Sequence, residues 1–264
     1  MRRILCKVEY YGALLVGWQR QPNGRSAQGE IEKALTQIAG HHIGVVAPSR
    51  TDSGVHAKGQ VCSFDWPQDT PLSRLYVGLN ALLPGDVAIR QLVEVPLGFK
   101  VKENYSKIYS YKLFEAHYLG VFERWTHWWM PRPLDLDAMR AGAEILKGQH
   151  NFNAFRAKGC QAPQPIKTIE RFELQTRKLR DGLEMEFTVQ GDGFMRHMVR
   201  IMVGNLVEIG QGKRDLAGLA SALESGKRRS LGQTAPPHGL TLESILYDPD
   251  PFSNPPLGAT AKGR

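Results

Sequence analysis

The stretch that decides the fold is residues 45–64, VVAPSRTDSGVHAKGQVCSF, in which a polar loop separates two short apolar segments. The apolar segments, 45–48 and 60–64, are predicted as β-strands. The loop between them, 49–57, contains Gly54, which permits backbone conformations that other residues resist. A polar loop held between two strands is the first candidate for a functional site on this chain.

Outward from this stretch, strand patterns and helix patterns alternate with few long loops. Further strands are predicted at 4–10, 86–95, 108–116, 169–179, 183–190 and 240–247. Helices are predicted at 27–39, 72–83, 135–146, 194–209 and 215–223. Ser26 and Gly40 are the start and stop signals of the first helix, and Asp181-Gly182 is a hairpin signal between two strands. Hairpins with helices on one face predict an α+β fold with a mainly antiparallel sheet.

The order of these elements predicts two α/β domains of similar content. A chain of 264 residues is long enough for two ordinary domains. We expect an N-terminal domain over 1–116, which carries the loop with Asp52, and a C-terminal domain over 117–248. The remaining residues, 249–264, are rich in proline and glycine and are predicted to form a flexible tail.

Composition and charge narrow the class of protein. Hydrophobic residues make up 42% of the chain and charged residues 23%, which is a globular composition that excludes wholesale disorder. No apolar run approaches the ~18–20 residues that a membrane span needs. The absence of a secretory leader and three widely spaced cysteines predict a cytoplasmic protein. The formal charge of +8 and the pI near 9.4 favour a polyanionic partner, most simply nucleic acid.

The loop 49–57 gathers Arg50, Thr51, Asp52 and His56 within a few positions. An aspartate held in such a loop can act as a nucleophile or as a general acid or base. The alternative is an ordinary Asx-turn, in which Asp52 bonds nearby backbone amides and Arg50 is a solvated charge. The chain has neither a Gly-x-Gly-x-x-Gly motif nor a phosphate loop nor the spacing of a metal site, so we expect no cofactor and no metal.

Two further clusters combine basic residues with apolar or aromatic ones. Arg196 and Arg200 are four residues apart and share one face if their segment is helical. On an apolar helix each then needs a carboxylate or phosphate partner, unless both side chains extend to solvent. Tyr109 and Tyr111 fall on one face of a predicted strand that is rich in lysine. Aromatic residues among basic ones suit stacking on unpaired bases, with core packing as the alternative.

Five motifs follow one another along the chain. The most specific is RTDSGVHA (50–57), and the others are GWQRQ (17–21), LNALLP (79–84), YSY (109–111) and FMRHMVR (194–200). With these motifs in this order, the chain closely resembles the TruA family of tRNA pseudouridine synthases over nearly its whole length, about 4–247.

The resemblance implies an activity, a partner and an architecture. Members of this family isomerise uridine to pseudouridine at positions 38 to 40 of the tRNA anticodon stem-loop without a cofactor. They are homodimers of two α/β domains around a continuous, mainly antiparallel sheet, and a basic cleft holds the tRNA. We therefore expect tRNA and a second copy of the chain as partners.

The resemblance also implies roles for single residues. Asp52 would be the catalytic aspartate, Tyr109 would stack on the uracil, and Arg200 would pair with Asp52. Arg50 would take the place of the extruded base in the RNA. Further substrate contacts are expected from Arg20, Thr51, Lys100, Lys102 and Arg196.

The chain departs from the family pattern at a few positions near the site. Ser49 stands where glycine is usual, Ser53 where alanine is usual and Tyr11 where aspartate is usual. These differences concern contacts with the substrate rather than Asp52, Tyr109 and Arg200. Two rival interpretations are a non-catalytic RNA-binding protein on the same fold and a metal-dependent nuclease, for which a second carboxylate at ligand spacing is missing.

Overall fold

The computed structural model describes residues 1–160 and 162–253, which form nine strands and five α-helices. The strands are β1 (Arg2–Tyr10), β2 (His56–Trp66), β3 (Val87–Val95), β4 (Ser106–Glu115), β5 (Trp128–Met130), β6 (Gly148–Asn151), β7 (Ile166–Leu179), β8 (Gly182–Gly191) and β9 (Leu240–Leu246). The helices are α1 (Ala27–Ala39), α2 (Leu72–Leu82), α3 (Leu136–Ile145), α4 (Met198–Gly210) and α5 (Leu216–Ser225). The predicted α+β class with a mainly antiparallel sheet is confirmed.

Backbone contacts divide the chain into two compact units. The first unit comprises residues 1–105 and the described residues from Leu242 onward, and the second comprises Ser106–Thr241. Most of the C-terminal strand belongs to the first unit, in which its neighbour is β2. The predicted domains, 1–116 and 117–248, are instead each one continuous stretch of the chain. These domain ranges stay a prediction.

The first unit is a four-stranded sheet in the order β3-β1-β2-β9, with α1 and α2 in the same unit. Helix α1 begins and ends where the sequence predicted. The Ser26 hydroxyl accepts the Gly29 N–H at 3.2 Å, and Gly40 ends the helix in the left-handed region with φ 79°. Ile31 and Leu35 are fully buried on one face of this helix. That face joins the core of the unit.

The second unit has strands in the order β4-β8-β7-β6, and β5 pairs with β4 in parallel. Leu179 pairs with Gly182, so the β7–β8 hairpin turns one residue earlier than predicted, at Arg180 and Asp181. Helix α4 is buried on nearly all sides, as its apolar sequence predicted. Asp135 and Asp215 cap α3 and α5 through their side chains.

The strand predicted at 45–48 was wrong. Only an isolated bridge forms there, in which Val46 and Ser63 exchange backbone hydrogen bonds at 2.9 and 2.8 Å. The Val45 N–H instead donates to the Glu32 side chain at 3.1 Å. The Val45 N–H is therefore satisfied by a side chain of α1 rather than by a neighbouring strand.

The helix predicted at 194–209 begins four residues later, at Met198. His197 has φ 63°, in the left-handed region, so it cannot continue a right-handed helix toward its N-terminal side. The Arg196 carbonyl oxygen accepts the Ala157 N–H at 3.1 Å, outside the helix. Arg196 and Arg200 therefore do not share a helix face, contrary to the prediction.

The predicted tail, 249–264, is described only as far as residue 253. Within that part, Phe252 is buried, and its ring lies 4.6 Å from the Lys7 ammonium. The Phe252 carbonyl oxygen accepts the Gln91 side-chain N–H at 3.3 Å. Phe252 is therefore part of the core of the first unit, and the rest of the predicted tail lies outside the described residues.

Candidate active site

Residues 49–57, the aspartate loop, lead into strand β2. Gly54 has φ 80°, and the Val55 N–H donates to the Asp52 carbonyl oxygen at 3.2 Å, which closes a tight turn. Asp52 is partly exposed, whereas Val55 and His56 are buried. The turn therefore presents a carboxylate near the surface on a fixed backbone.

A second loop, residues 11–25, packs against the aspartate loop through backbone contacts. The Trp18 N–H donates to the Thr51 carbonyl oxygen at 3.1 Å. Gly17 has φ 102°, and a Cβ atom at this position would lie 2.5 Å from the same carbonyl oxygen. Both the backbone conformation and the available space therefore require glycine at position 17.

Gly12 makes the other close approach between the two loops. A Cβ atom there would lie 2.0 Å from the Val55 carbonyl oxygen, and the Gly12 N–H donates to His56 Nδ1 at 2.9 Å. Because Nδ1 accepts this bond, it carries no proton. The Tyr11 ring lies against the His56 ring, with centroids 4.7 Å apart. His56 thus joins the two loops.

The side chain of Thr51 points into the first unit. Its hydroxyl lies 2.7 Å from the Tyr10 hydroxyl, and Thr51 is 8% exposed. The buried Gln60 amide donates to the Ser49 carbonyl oxygen at 3.1 Å. These bonds fix the N-terminal half of the aspartate loop. A contact between Thr51 and substrate stays a prediction.

Two arginines of the first unit flank the loops. Arg50 is exposed beside Asp52 in the chain. The Arg20 N–H donates to the Gln28 side chain at 3.1 Å, and Arg20 Nη1 lies 3.3 Å from Glu32 Oε2. Helix α1 thus orients Arg20. Sequence reasoning missed Glu32 as a partner of Arg20. The one signal in the sequence is its position directly after Ile31, on the apolar face of the predicted helix.

Tyr109 belongs to the second unit and is buried on β4. The Phe194 ring meets it edge-on, with centroids 5.1 Å apart at 82°. Tyr109 is 6% exposed, so its ring presents little surface in this state. Sequence reasoning singled out Phe194 only as part of a motif, since its contact with Tyr109 depends on how β4 and the segment before α4 pack.

Tyr111 and Arg200 bond to the segment 235–236 of the second unit. The Tyr111 hydroxyl donates to the Pro236 carbonyl oxygen at 2.8 Å, and Arg200 Nε donates to the Ala235 carbonyl oxygen at 2.8 Å. Burial raises the pKa of Tyr111 well above its usual range, although the Arg200 charge acts in the opposite direction. Tyr111 therefore remains neutral and has a packing role, which is the alternative left open above.

The remaining predicted substrate contacts are exposed. Lys100 and Lys102 lie on the surface of the first unit, where Lys100 forms an ion pair with Glu103 at 2.8 Å. Arg196 lies on the surface of the second unit and donates to the Lys158 carbonyl oxygen at 3.5 Å. All three positions are accessible to a large ligand.

The predicted site residues fall into two groups. The first unit contains Arg20, Arg50, Thr51, Asp52, Lys100 and Lys102, and the second contains Tyr109, Arg196 and Arg200. Within residues 1–160 and 162–253, no three histidine, cysteine, aspartate or glutamate side chains are grouped so as to hold a metal ion. In the same part of the chain, no helix has the length and apolar character to cross a membrane.

The chain thus combines a mainly antiparallel α+β fold with a glycine-shaped turn that presents the Asp52 carboxylate near the surface. A family model described as tRNA pseudouridine synthase matches residues 8–102 and 143–248. The chain belongs to this family, which confirms the resemblance seen in the sequence and its assignment to an isomerase class of enzyme.

Relatives match along nearly the full length of the chain. A protein of Myxococcus xanthus named tRNA pseudouridine synthase A is 41% identical over 98% of this chain and 97% of its own. Proteins of the same name from Citrifermentans bemidjiense and Halalkalibacterium halodurans are 39% and 40% identical, over 94% and 91% of this chain and 98% and 90% of their own. The similarity therefore extends through both compact units.

Proposed function

We propose that this chain isomerises uridine to pseudouridine at positions 38 to 40 of the tRNA anticodon stem-loop, without a cofactor and with Asp52 as the catalytic residue. The observation that carries the proposal is the aspartate loop. Its RTDSGVHA motif lies on a turn whose backbone is fixed by Gly54 and by the loop 11–25. The name shared by the relatives supports tRNA as the substrate.

The proposed reaction breaks one bond to the ribose and forms another. The bond between N1 and C1′ breaks, the uracil rotates, and a bond forms between C5 and C1′. C5 loses its proton to solvent and N1 gains one, so the product has the composition of the substrate and no oxidant or reductant is consumed. The Asp52 carboxylate has three compatible routes: attack on the sugar, attack on the base, or removal of a sugar proton.

Tyr109, Arg200 and Arg50 complete the proposed site. A stacked base cannot reach a protein carboxylate, so the nucleotide leaves the stack at a cost of a few kcal/mol. Arg50, which is exposed, takes the place of the base in the RNA. Tyr109 stacks on the extruded uracil, and the Arg200 guanidinium keeps Asp52 ionised and oriented.

The wider assembly is part of the same proposal. The chain acts as a cytoplasmic homodimer that binds tRNA in a basic cleft, and the formal charge of +8 supports a polyanionic substrate. The exposed basic side chains proposed to contact the RNA are Arg20, Lys100, Lys102 and Arg196. Thr51 of the aspartate loop is proposed as a further substrate contact.

Pseudouridine mapping tests the proposed positions. Total tRNA from cells that lack this protein should have no pseudouridine at positions 38 to 40, and expression of the wild-type chain should restore it. Expression of the Asp52→Asn variant serves as the matched control and should not. If pseudouridine is lost and regained only at other positions, the anticodon assignment is wrong.

A further inference from the structure

Three strand ends of the second unit meet at the turn 191–193, which begins at the last residue of β8. Lys107 of β4 pairs with Gly191 across the sheet. On the other side, the Asp192 N–H donates to the Thr168 carbonyl oxygen at 3.2 Å, and the Asp192 carboxylate accepts the Thr168 N–H at 3.1 Å. The turn is thus fixed to both β4 and β7.

Two lysines, Lys107 and Lys167, come together at this turn and form what we term the lysine pair. Lys167 Nζ lies 3.6 Å from the position that a Cβ atom on Gly193 would occupy, so its side chain lies across the turn. Burial and the Lys167 charge both lower the pKa of Lys107, and Asp192 acts in the opposite direction. In the described part of the chain, neither ammonium group has a carboxylate at ion-pair distance.

The lysine pair leaves a local excess of positive charge. Two like charges near each other repel, and each would gain from an anion placed between them. The Asp192 carboxylate already accepts the Thr168 N–H, and the Glu170 carboxylate accepts the Ser106 hydroxyl and the Gln190 side-chain N–H. A phosphate group accepts hydrogen bonds from several directions, and lysine binds it as a point charge. The chemistry of the pair therefore suits a phosphate.

The lysine pair lies next to the aromatic residues of the proposed site. Lys107 and Tyr109 are two residues apart on β4, so their side chains leave the same face of the strand. Phe194 follows the turn directly, and its ring packs against Tyr109. A nucleotide whose base reaches Tyr109 therefore has its backbone near the lysine pair.

We propose that Lys107 and Lys167 together bind a phosphate of the RNA backbone beside the uridine that Tyr109 contacts. The identity of the RNA rests on the proposed function, whereas the binding of a phosphate by the lysine pair rests on the geometry of the second unit. The pair holds the backbone of a nucleotide whose base has left the stack, which lowers the cost of keeping it extruded.

Binding of a synthetic anticodon stem-loop RNA tests the lysine pair. Lys107→Met and Lys167→Met keep the aliphatic stems and remove the charges, and each should raise Kd about tenfold. Each should also make the dependence of log Kd on log salt shallower by ~0.7–0.9. Lys178→Met, on an exposed position of β7, is the matched control and should leave both quantities unchanged. Lys→Arg at 107 and 167 should retain tight binding.

A chemically altered RNA identifies the phosphate. One methylphosphonate, which lacks the negative charge, is placed in turn at each phosphate around the target uridine. At the flanking phosphate, the substitution should weaken binding by the wild type about tenfold and binding by Lys107→Met much less. Equal losses for both proteins at every position, or an unchanged Kd for both lysine variants, would overturn the proposal.

The same experiment separates this inference from the proposed function. Pseudouridine formation by the wild type is measured on the unmodified RNA. If the wild type forms none but the coupling between lysine and phosphate is present, the lysine pair binds RNA and the proposed function is wrong. If pseudouridine forms but the methylphosphonate weakens binding equally in the wild type and in Lys107→Met, the proposed function holds. The proposal that the lysine pair binds a phosphate is then wrong.

Discussion

At the scale of single residues, Gly17 determines how closely the loop 11–25 approaches the aspartate loop. Its φ of 102° and the 2.5 Å approach of a Cβ atom to the Thr51 carbonyl oxygen leave no room for a side chain. Gly17→Ala should lower the free energy of unfolding by ~1–3 kcal/mol and reduce turnover, because the Asp52 backbone has to shift.

Urea unfolding and steady-state kinetics measure these two effects. Gly98→Ala is the control, since Gly98 is exposed and a Cβ atom there meets nothing within 4 Å. A Gly17→Ala protein with the stability and turnover of the Gly98→Ala protein would show that the two loops are not coupled in this way.

Replacement of Arg200 tests whether the rate of the reaction depends on the orientation of Asp52. Arg200→Met should reduce kcat about 10²-fold while KM for the tRNA stays nearly constant, since the proposed partner of the guanidinium is Asp52 rather than RNA. Arg180→Met, at a side chain that is 96% exposed, is the control. Thermal melting checks that loss of the bond to the Ala235 carbonyl oxygen has not unfolded the second unit. A large rise in KM with unchanged kcat would assign Arg200 to RNA binding instead.

At the scale of elements, the N-terminus of α1 is where local sequence and site geometry meet. Ser26 is buried and caps the helix, and the Ala27 N–H donates to the Gly17 carbonyl oxygen at 3.2 Å. Ser26→Ala should cost about 1 kcal/mol of unfolding free energy in urea titrations. Ser73→Ala, at an exposed position inside α2, should be neutral or slightly stabilising because alanine is the better helix former. If Ser26→Ala and Ser73→Ala change the free energy of unfolding equally, the Ser26 cap does not stabilise α1.

A network around Glu184 makes part of the stability depend on pH. Burial raises the pKa of Glu184, but the hydrogen bond with His127 and the charges of Lys112 and Arg177 lower it more, so the pKa lies below the usual 4.5. A carboxylate whose pKa is lowered by folding stabilises the protein above its unfolded pKa, and this contribution disappears as the pH falls through the folded pKa.

The pH dependence of unfolding measures this contribution. Glu184→Gln should be less stable than the wild type at pH 7, and the difference should shrink as the pH is lowered below 4.5. Glu173→Gln, at an exposed position of β7 outside this network, is the control variant measured in parallel. A difference for Glu184→Gln that is constant from pH 7 to pH 3 would contradict the network.

The helices and strands that the sequence predicted correctly are those whose start and end are marked by residues close together in the chain. Ser26, Asp135 and Asp215 cap helices through side chains three residues from their donors, so a short window of sequence contains the whole interaction. Residues 45–48 failed as a strand because the Val45 N–H bonds to Glu32, thirteen residues earlier in the chain. Strands β5 and β6, of three and four residues, are too short to show a period.

At the scale of the whole molecule, the motifs predicted the class of enzyme, but they could not predict the packing that shapes the site. The RTDSGVHA motif, eight adjacent residues, predicts Asp52 as the catalytic residue. The requirement for glycine at positions 12 and 17 comes from the carbonyl oxygens of Val55 and Thr51, which are distant in the chain. The apolar pattern predicts that Arg196 lies in a helix. The left-handed backbone of His197, which ends the helix before Arg196, has no signal in the sequence.

Tritium release from tRNA labelled at uracil C5 tests most directly the proposed role of Asp52 in uridine isomerisation. Wild-type protein should release the label without any added cofactor, because the C5 proton leaves when the bond to C1′ forms. Asp52→Asn should bind the same tRNA with nearly the same Kd and release no tritium above background. Asp69→Asn, at a fully exposed aspartate of the same unit, should release it at the wild-type rate. Tritium release by Asp52→Asn at the wild-type rate would contradict the account.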